Sequence, residues 1–169
     1  MNADKDKLDT LTDHVLGAVF EVTNTLGAGF LEKVYRRALL RELGIRGIRA
    51  TAEASFTVTY KGHSVGEYFA DLLVEDVLVV ELKCVERLSS EHTAQCLNYL
   101  RASGRTVCLL VNFQKPKVEW KRIVHGFPDS RPIEAPTGTV DSTWLVHLFP
   151  GHYTNEASPQ TDESCYDAS

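Results

Sequence analysis

Three ionisable side chains carry the chemistry this sequence can offer: Asp71, Glu81 and Lys83. Glu81 and Lys83 belong to Val77-Leu-Val-Val-Glu81-Leu82-Lys83, where five of seven residues are aliphatic. Such a run reads as a central strand covered on both faces. A strand repeats every two residues, so both charges point to one side. Burying them there costs roughly several kcal/mol per ion unless a partner or a metal compensates. Asp71 lies in the preceding segment, Phe69-Ala-Asp71-Leu-Leu-Val-Glu75. A tight hairpin about Asp76 sets Asp71 and Glu81 opposite each other, with Lys83 further along the same face. Two facing carboxylates repel unless a cation lies between them. Paired carboxylates on a hydrated Mg²⁺, with an ammonium nearby, are parts for metal-assisted phosphodiester hydrolysis. The cation activates a bound water, and Lys83 orients that water or stabilises charge in the transition state. The plainer reading is an exposed edge-strand pair and a lone surface acid. The aliphatic surroundings and the hairpin spacing favour the chemical one.

Other polar residues share helical faces. Gln95 and Tyr99 stand four apart, with His92 three before Gln95, which alone makes a polar face around a part-buried tyrosine. Glu32 and Tyr35 share a face of an earlier helix. Glu32 and Arg36 there fit an ordinary i,i+4 pair worth roughly 0.3–0.5 kcal/mol. Lys33, Arg36, Arg37 and Arg41 offer a modest phosphate-facing surface on that helix, though such charges are usually just solvated.

The elements that must position these residues follow from periodicity. Leu8, Leu11, Val15, Val19, Val22 and Leu26 recur at helical spacing, and Gly27-Ala28-Gly29 ends that helix. A second helix runs from about Phe30 to Leu43 and stops at Gly44. Ser55 to Tyr60 alternates, Lys61-Gly62-His63 turns it, and a partner strand runs from Val65 to Val74. Glu75-Asp76 then leads into the aliphatic strand. Ser89 or Ser90 caps a third helix that reaches Ala102 and closes at Gly104. Thr106 to Asn112 is a fourth, buried strand. The order is α-α-β-β-β-α-β, an α/β (mixed α+β) class.

A chain of 169 residues with 43% hydrophobic and 24% charged content is long enough for one domain with a real core. Residues 1–126 form the expected domain, and 127–169 an acidic extension rich in proline and glycine. The extension carries seven acids and one base, whereas the body holds 17 basic and 16 acidic residues. The overall charge of −5 therefore belongs to the tail, and nucleic-acid binding by the body stays open. Within the tail only 143–149 looks able to order, and the last 18 or so residues read as disordered. The tail is either a solubilising extension or an electrostatic competitor for the nucleic-acid groove. Cys84, Cys96, Cys108 and Cys165 show no C-x-x-C spacing, which indicates free thiols and not a zinc site. With no signal-type core and no apolar stretch near membrane-span length, a cytoplasmic location is expected.

Leu26-Gly-Ala-Gly29-Phe-Leu-Glu32-Lys-Val-Tyr35 resembles the signature of the bacterial GxxExxY family. So do Tyr60-Lys-Gly62, Ala70-Asp71-Leu-Leu-Val-Glu75, Val80-Glu81-Leu-Lys83, Gln95-x-Leu-Asn-Tyr99-Leu and Val111-Asn-Phe113. That family is grouped with the PD-(D/E)XK nuclease superfamily, and the resemblance covers about residues 8–126. It implies a restriction-endonuclease-like αβββαβ core preceded by one extra helix. Glu32 would be the superfamily's helical acid, Asp71 its "PD" aspartate and Glu81-Leu-Lys83 its (D/E)XK. Gln95-x-x-x-Tyr99 is similar to the additional motif of RecB-like nucleases, which helps position the lysine and the nucleic acid. Ala70 replaces the proline of the motif name. Thr23 stands where family members often carry histidine, so any role of that histidine is absent. The iron–sulfur cluster of some RecB-like relatives does not suit these cysteine spacings.

The expectation is a Mg²⁺- or Mn²⁺-dependent nuclease acting on DNA. Asp71 and Glu81 would ligate the metal with the Leu82 carbonyl, and Glu32 would hold a metal-bound water or a second ion. The rival is a non-catalytic nucleic-acid- or protein-binding module that keeps the fold. Oligomeric state stays open, a homodimer included.

Overall fold

The computed structural model describes residues 3–126. The acidic extension, with its 143–149 segment, lies outside the described residues. The element order is α1 (Ala3–Leu26), α2 (Glu32–Ile45), β1 (Ala50–Tyr60), β2 (His63–Val74), β3 (Leu78–Lys83), α3 (Ser90–Ser103), β4 (Val107–Asn112) and β5 (Glu119–Val124).

The strands form one mixed sheet in the order β1-β2-β3-β4-β5. β3 and β4 run parallel, joined through α3, and the other neighbours are antiparallel. β3 is central, as its aliphatic run requires: Leu78 to Leu82 are all buried. α1 and α2 cover one face, where Val15, Val19, Leu39 and Leu43 meet Leu72, Leu78, Val80 and Leu109. α3 covers the other, with Cys96, Tyr99 and Leu100 against Val79, Cys108 and Leu110. Because β4 is buried throughout, Leu109→Ala should destabilise the fold by about 2–5 kcal/mol, read by denaturant melts.

The two hairpins use left-handed turn residues, Lys61 (φ 48°) with Gly62 (φ 81°) and Glu75 (φ 49°) with Asp76 (φ 59°). The second turn sets Leu72 opposite Val80 and Val74 opposite Leu78, the register centred on Asp76 that the sequence implies. α3 closes at Gly104 (φ 67°).

Three expectations need correction. α2 continues through Gly44 to Ile45, and the left-handed residue that turns the chain is Gly47 at φ 71°. β1 begins at Ala50, not Ser55, because small alanines pack against the α1–α2 face where no alternation of large residues announces a strand. β5 was not expected: as an edge strand it buries only Ile123 and reads as a charged loop. Among the described residues no helix is long and apolar enough to cross a membrane.

Candidate active site

The site forms where two strands part. The last β2–β3 pair before it is Leu72 with Val80. One residue further, the Asp71 N–H is only 3.5 Å from Glu81 Oε2, and Asp71 Oδ2 accepts the Leu82 N–H at 2.8 Å. The aspartate side chain thus takes a donor that the ladder no longer uses, which fixes its carboxylate beside Glu81.

A second irregularity lies on the other side of Asp71. β1 pairs Ala52 with Leu72 and Ala54 with Ala70, but Glu53 and Asp71 between them are not paired. Glu53 has φ 54°, a left-handed value rare for a residue with a Cβ. Before it, Ala50 and Ala52, with Leu72 and Val74, face α1 and α2. Beyond it, Ala54 and Phe56, with Ala70 and Tyr68, face α3. The ribbon switches faces at this one position. Strain of this kind costs roughly 1–3 kcal/mol and is found where function or packing enforces it.

Arg36 reaches into the switch from α2. Its Nη1 donates to Asp71 Oδ1 at 3.0 Å and its Nη2 lies 3.1 Å from Glu53 Oε1. Arg36 therefore bridges two strand acids and does not make the local pair with Glu32 that its i,i+4 spacing suggests. Both Asp71 oxygens have donors, one charged and one from the backbone.

Glu81 is 3% exposed and 81 is central in β3. Its Oε1 accepts from Lys83 Nζ at 2.7 Å and lies 3.4 Å from the Tyr99 hydroxyl. Burial pushes the Glu81 carboxyl up to about 7, against the pull of Lys83, and Asp71 adds to the rise. Burial lowers the Lys83 pKa, but Glu81, Glu32 and Asp71 together outweigh it, so the net shift is upward. Lys83 is accordingly held as an ammonium beside Glu81. Glu32, on the first turn of α2, is raised by burial and by Asp71. It belongs to the cluster electrostatically, with no hydrogen bond to it among the described residues.

Gln95 Nε2 donates to the Tyr99 hydroxyl at 2.8 Å, and that hydroxyl lies 3.0 Å from the Phe69 carbonyl. Burial, then Glu81, raise the Tyr99 pKa, which keeps the hydroxyl protonated. Tyr99 thus contacts Glu81 and the β2 backbone, and Gln95 holds the same hydroxyl. Neither bonds Lys83 directly among the described residues. His92 is used elsewhere: its Nδ1 accepts the Ser89 N–H at 3.0 Å at the start of α3. Tyr35 is structural, with its hydroxyl on the Gly27 carbonyl at 2.7 Å and its ring stacked on Phe113 at 4.5 Å.

Among the described residues no three His, Cys, Asp or Glu side chains converge as a complete metal cage. The donors the structure brings together are hard oxygens, the carboxylates of Asp71 and Glu81. Mg²⁺ is commonly held by one or two carboxylates with waters completing its octahedron, so this pair fits such an ion. A divalent cation there would also relieve the repulsion that helps raise Glu81.

A sequence profile of the PD-(D/E)XK nuclease superfamily matches residues 9–123, from α1 into β5. The chain belongs to that superfamily. Its sheet, with a parallel β3–β4 pair and helices on both faces, is the mixed α/β core of these nucleases. Among solved structures, that of SSO0001 is similar at 17% identity and a TM-score of 0.47, over 69% of this chain and 54% of that one. An alkaline exonuclease from Laribacter hongkongensis is similar at 14% identity and a TM-score of 0.39, over 77% and 80% of the respective chains. The chain thus spans about half the length of SSO0001. No curated protein matches significantly.

The sequence marks Arg36 only as a phosphate-facing charge and as the i,i+4 partner of Glu32, and it does not mark Glu53. Arg36 stands one residue past the buried Tyr35, at the margin of the inward face of α2. Glu53 carries no signal, because a face switch leaves no periodicity to read.

Proposed function

We propose that this PD-(D/E)XK protein is a Mg²⁺- or Mn²⁺-dependent nuclease that hydrolyses DNA phosphodiester bonds. The observation that carries the reading is the meeting of Asp71 and Glu81 at the opened β2–β3 ladder, with the Lys83 ammonium on Glu81. Asp71, Glu81 and the Leu82 carbonyl would hold the cation, with Glu32 on one of its waters. When bound, the cation supplies an activated water and neutralises phosphate charge. Lys83 would orient the attacking water and stabilise the growing negative charge on the phosphate. Gln95 and Tyr99 hold Glu81 and the Phe69 backbone in place.

The test is a cleavage assay with Mg²⁺, Mn²⁺ or EDTA on single-stranded, duplex and branched DNA and on RNA. Metal-dependent cutting of DNA supports the reading. Tight binding without cutting in any metal would leave the non-catalytic module instead.

Arg36 gives a prediction of definite sign. It is 25% exposed and neutralises Asp71, which is 8% exposed. Arg36→Met leaves a buried acid beside Glu81 and should destabilise the metal-free fold by about 1–3 kcal/mol. Because the same guanidinium competes for Asp71 Oδ1, the melting-temperature rise on adding Mg²⁺ should be larger in Arg36→Met than in the wild type. A smaller rise would show that Arg36 prepares the metal site instead of competing for it.

A further inference from the structure

We propose that the cleft bounded by Arg36, Glu53, Phe69, Ala70 and Asp71 receives one unpaired nucleotide, its base stacked on Phe69 and its phosphate drawn to Arg36. The inference rests on the nuclease reading and deepens it, assigning a preference for single-stranded or frayed substrate.

The cleft has a volume of about 460 Å³, within the roughly 300–1,000 Å³ typical of small-ligand sites. Phe69 forms part of its wall while remaining 57% exposed. A lone exposed apolar residue needs no explanation. This one stands two residues from Asp71, on a backbone that two sets of bonds hold. Its carbonyl lies 3.0 Å from the Tyr99 hydroxyl, and its strand neighbour in β1 is Ser55. The ring is therefore carried on a rigid strand. Its exposure follows from the face switch at Glu53 and Asp71. Beyond that point Tyr68 and Ala70 take the face under α3, which leaves Phe69 on the opposite side.

Charge decides when the cleft admits a phosphate. Glu53 and Asp71 together outweigh Arg36, so the metal-free cleft is net negative and repels the backbone of nucleic acid. With a divalent cation on Asp71 the balance turns positive. Arg36 then keeps Glu53 as its tether and has donors free for a phosphate oxygen. An aromatic face beside a cationic group accepts any base, since stacking reads no sequence. A base inside a duplex cannot offer its face to Phe69 without unstacking.

The experiment is anisotropy of a labelled single-stranded oligodeoxynucleotide and a blunt duplex on the full chain, in Ca²⁺ and in EDTA. The wild type should bind the single strand at least tenfold more tightly than the duplex, and only with Ca²⁺. Phe69→Ala should lose about 5–150-fold on the single strand, the equivalent of roughly 1–3 kcal/mol of base stacking. It should leave duplex binding and the melting temperature little changed. Phe69→Trp should keep single-strand affinity and show quenching of the new indole on binding. Phe69→Ala or Phe69→Leu binding single strands like the wild type would overturn the subsite. If the wild type still cuts DNA, that result leaves the nuclease reading standing. A wild type that neither binds nor cuts any nucleic acid overturns both.

Discussion

Lys83→Ala is expected to lower DNA cleavage by about 10²–10³-fold, the usual cost of removing one charge-stabilising donor from a site. The ammonium is half-buried, 2.7 Å from Glu81 Oε1, and kept protonated by three surrounding acids. Its removal takes away the one cation that β3 itself supplies to the developing charge. The carboxylates that would hold the metal remain. The Mg²⁺-induced rise in melting temperature should therefore survive in Lys83→Ala, and even grow, because a competing positive charge has left Glu81. Single-turnover cleavage and thermal melts on one preparation separate the two effects. Near-normal turnover by Lys83→Ala would place the chemistry elsewhere in the chain or in a contaminant.

The central part of this site was legible because its signals were local. Glu81 and Lys83 share a strand with five aliphatic residues, so alternation alone puts them on one side. Asp71 joins them through a two-residue turn whose register follows from counting, and the structure keeps that register. Gln95 and Tyr99 join through helical spacing. The site's second half was hidden because it depends on long-range geometry. Arg36 had a ready local partner in Glu32, yet two acids from distant strands are nearer. Glu53 matters only because the backbone flips there, and no side-chain pattern encodes a positive φ at a glutamate. The same limit hid the start of β1 and all of β5. Strand pattern comes from one face being buried in large residues, and these segments bury alanines or a single isoleucine.

Glu81→Gln should abolish both cleavage and the stabilisation by divalent cations. Linkage sets the size: a ligand at one hundred times its dissociation constant, bound only by the folded state, adds about 2.7 kcal/mol to stability. The wild type should show a rise of that order on titration with Mg²⁺ or Mn²⁺. Glutamine keeps the volume and the hydrogen-bonding reach of glutamate, so the packing under α3 and the contact with Tyr99 persist. What is lost is the charge. The neutral side chain no longer repels Asp71, but it also leaves the part-buried Lys83 ammonium without its 2.7 Å partner, so the variant is read by its own metal-induced rise and not against the metal-free wild type. The comparison with Glu32→Gln gives the result its meaning. Glu32 makes no hydrogen bond to the cluster among the described residues, so its variant should keep most of the metal-induced rise while losing activity. Equal stabilisation of wild type and Glu81→Gln by Mg²⁺ would show that Asp71 and Glu81 do not share a cation. The meeting of the two acids at the opened ladder would then be an ion-paired structural joint, held by Arg36 and Lys83.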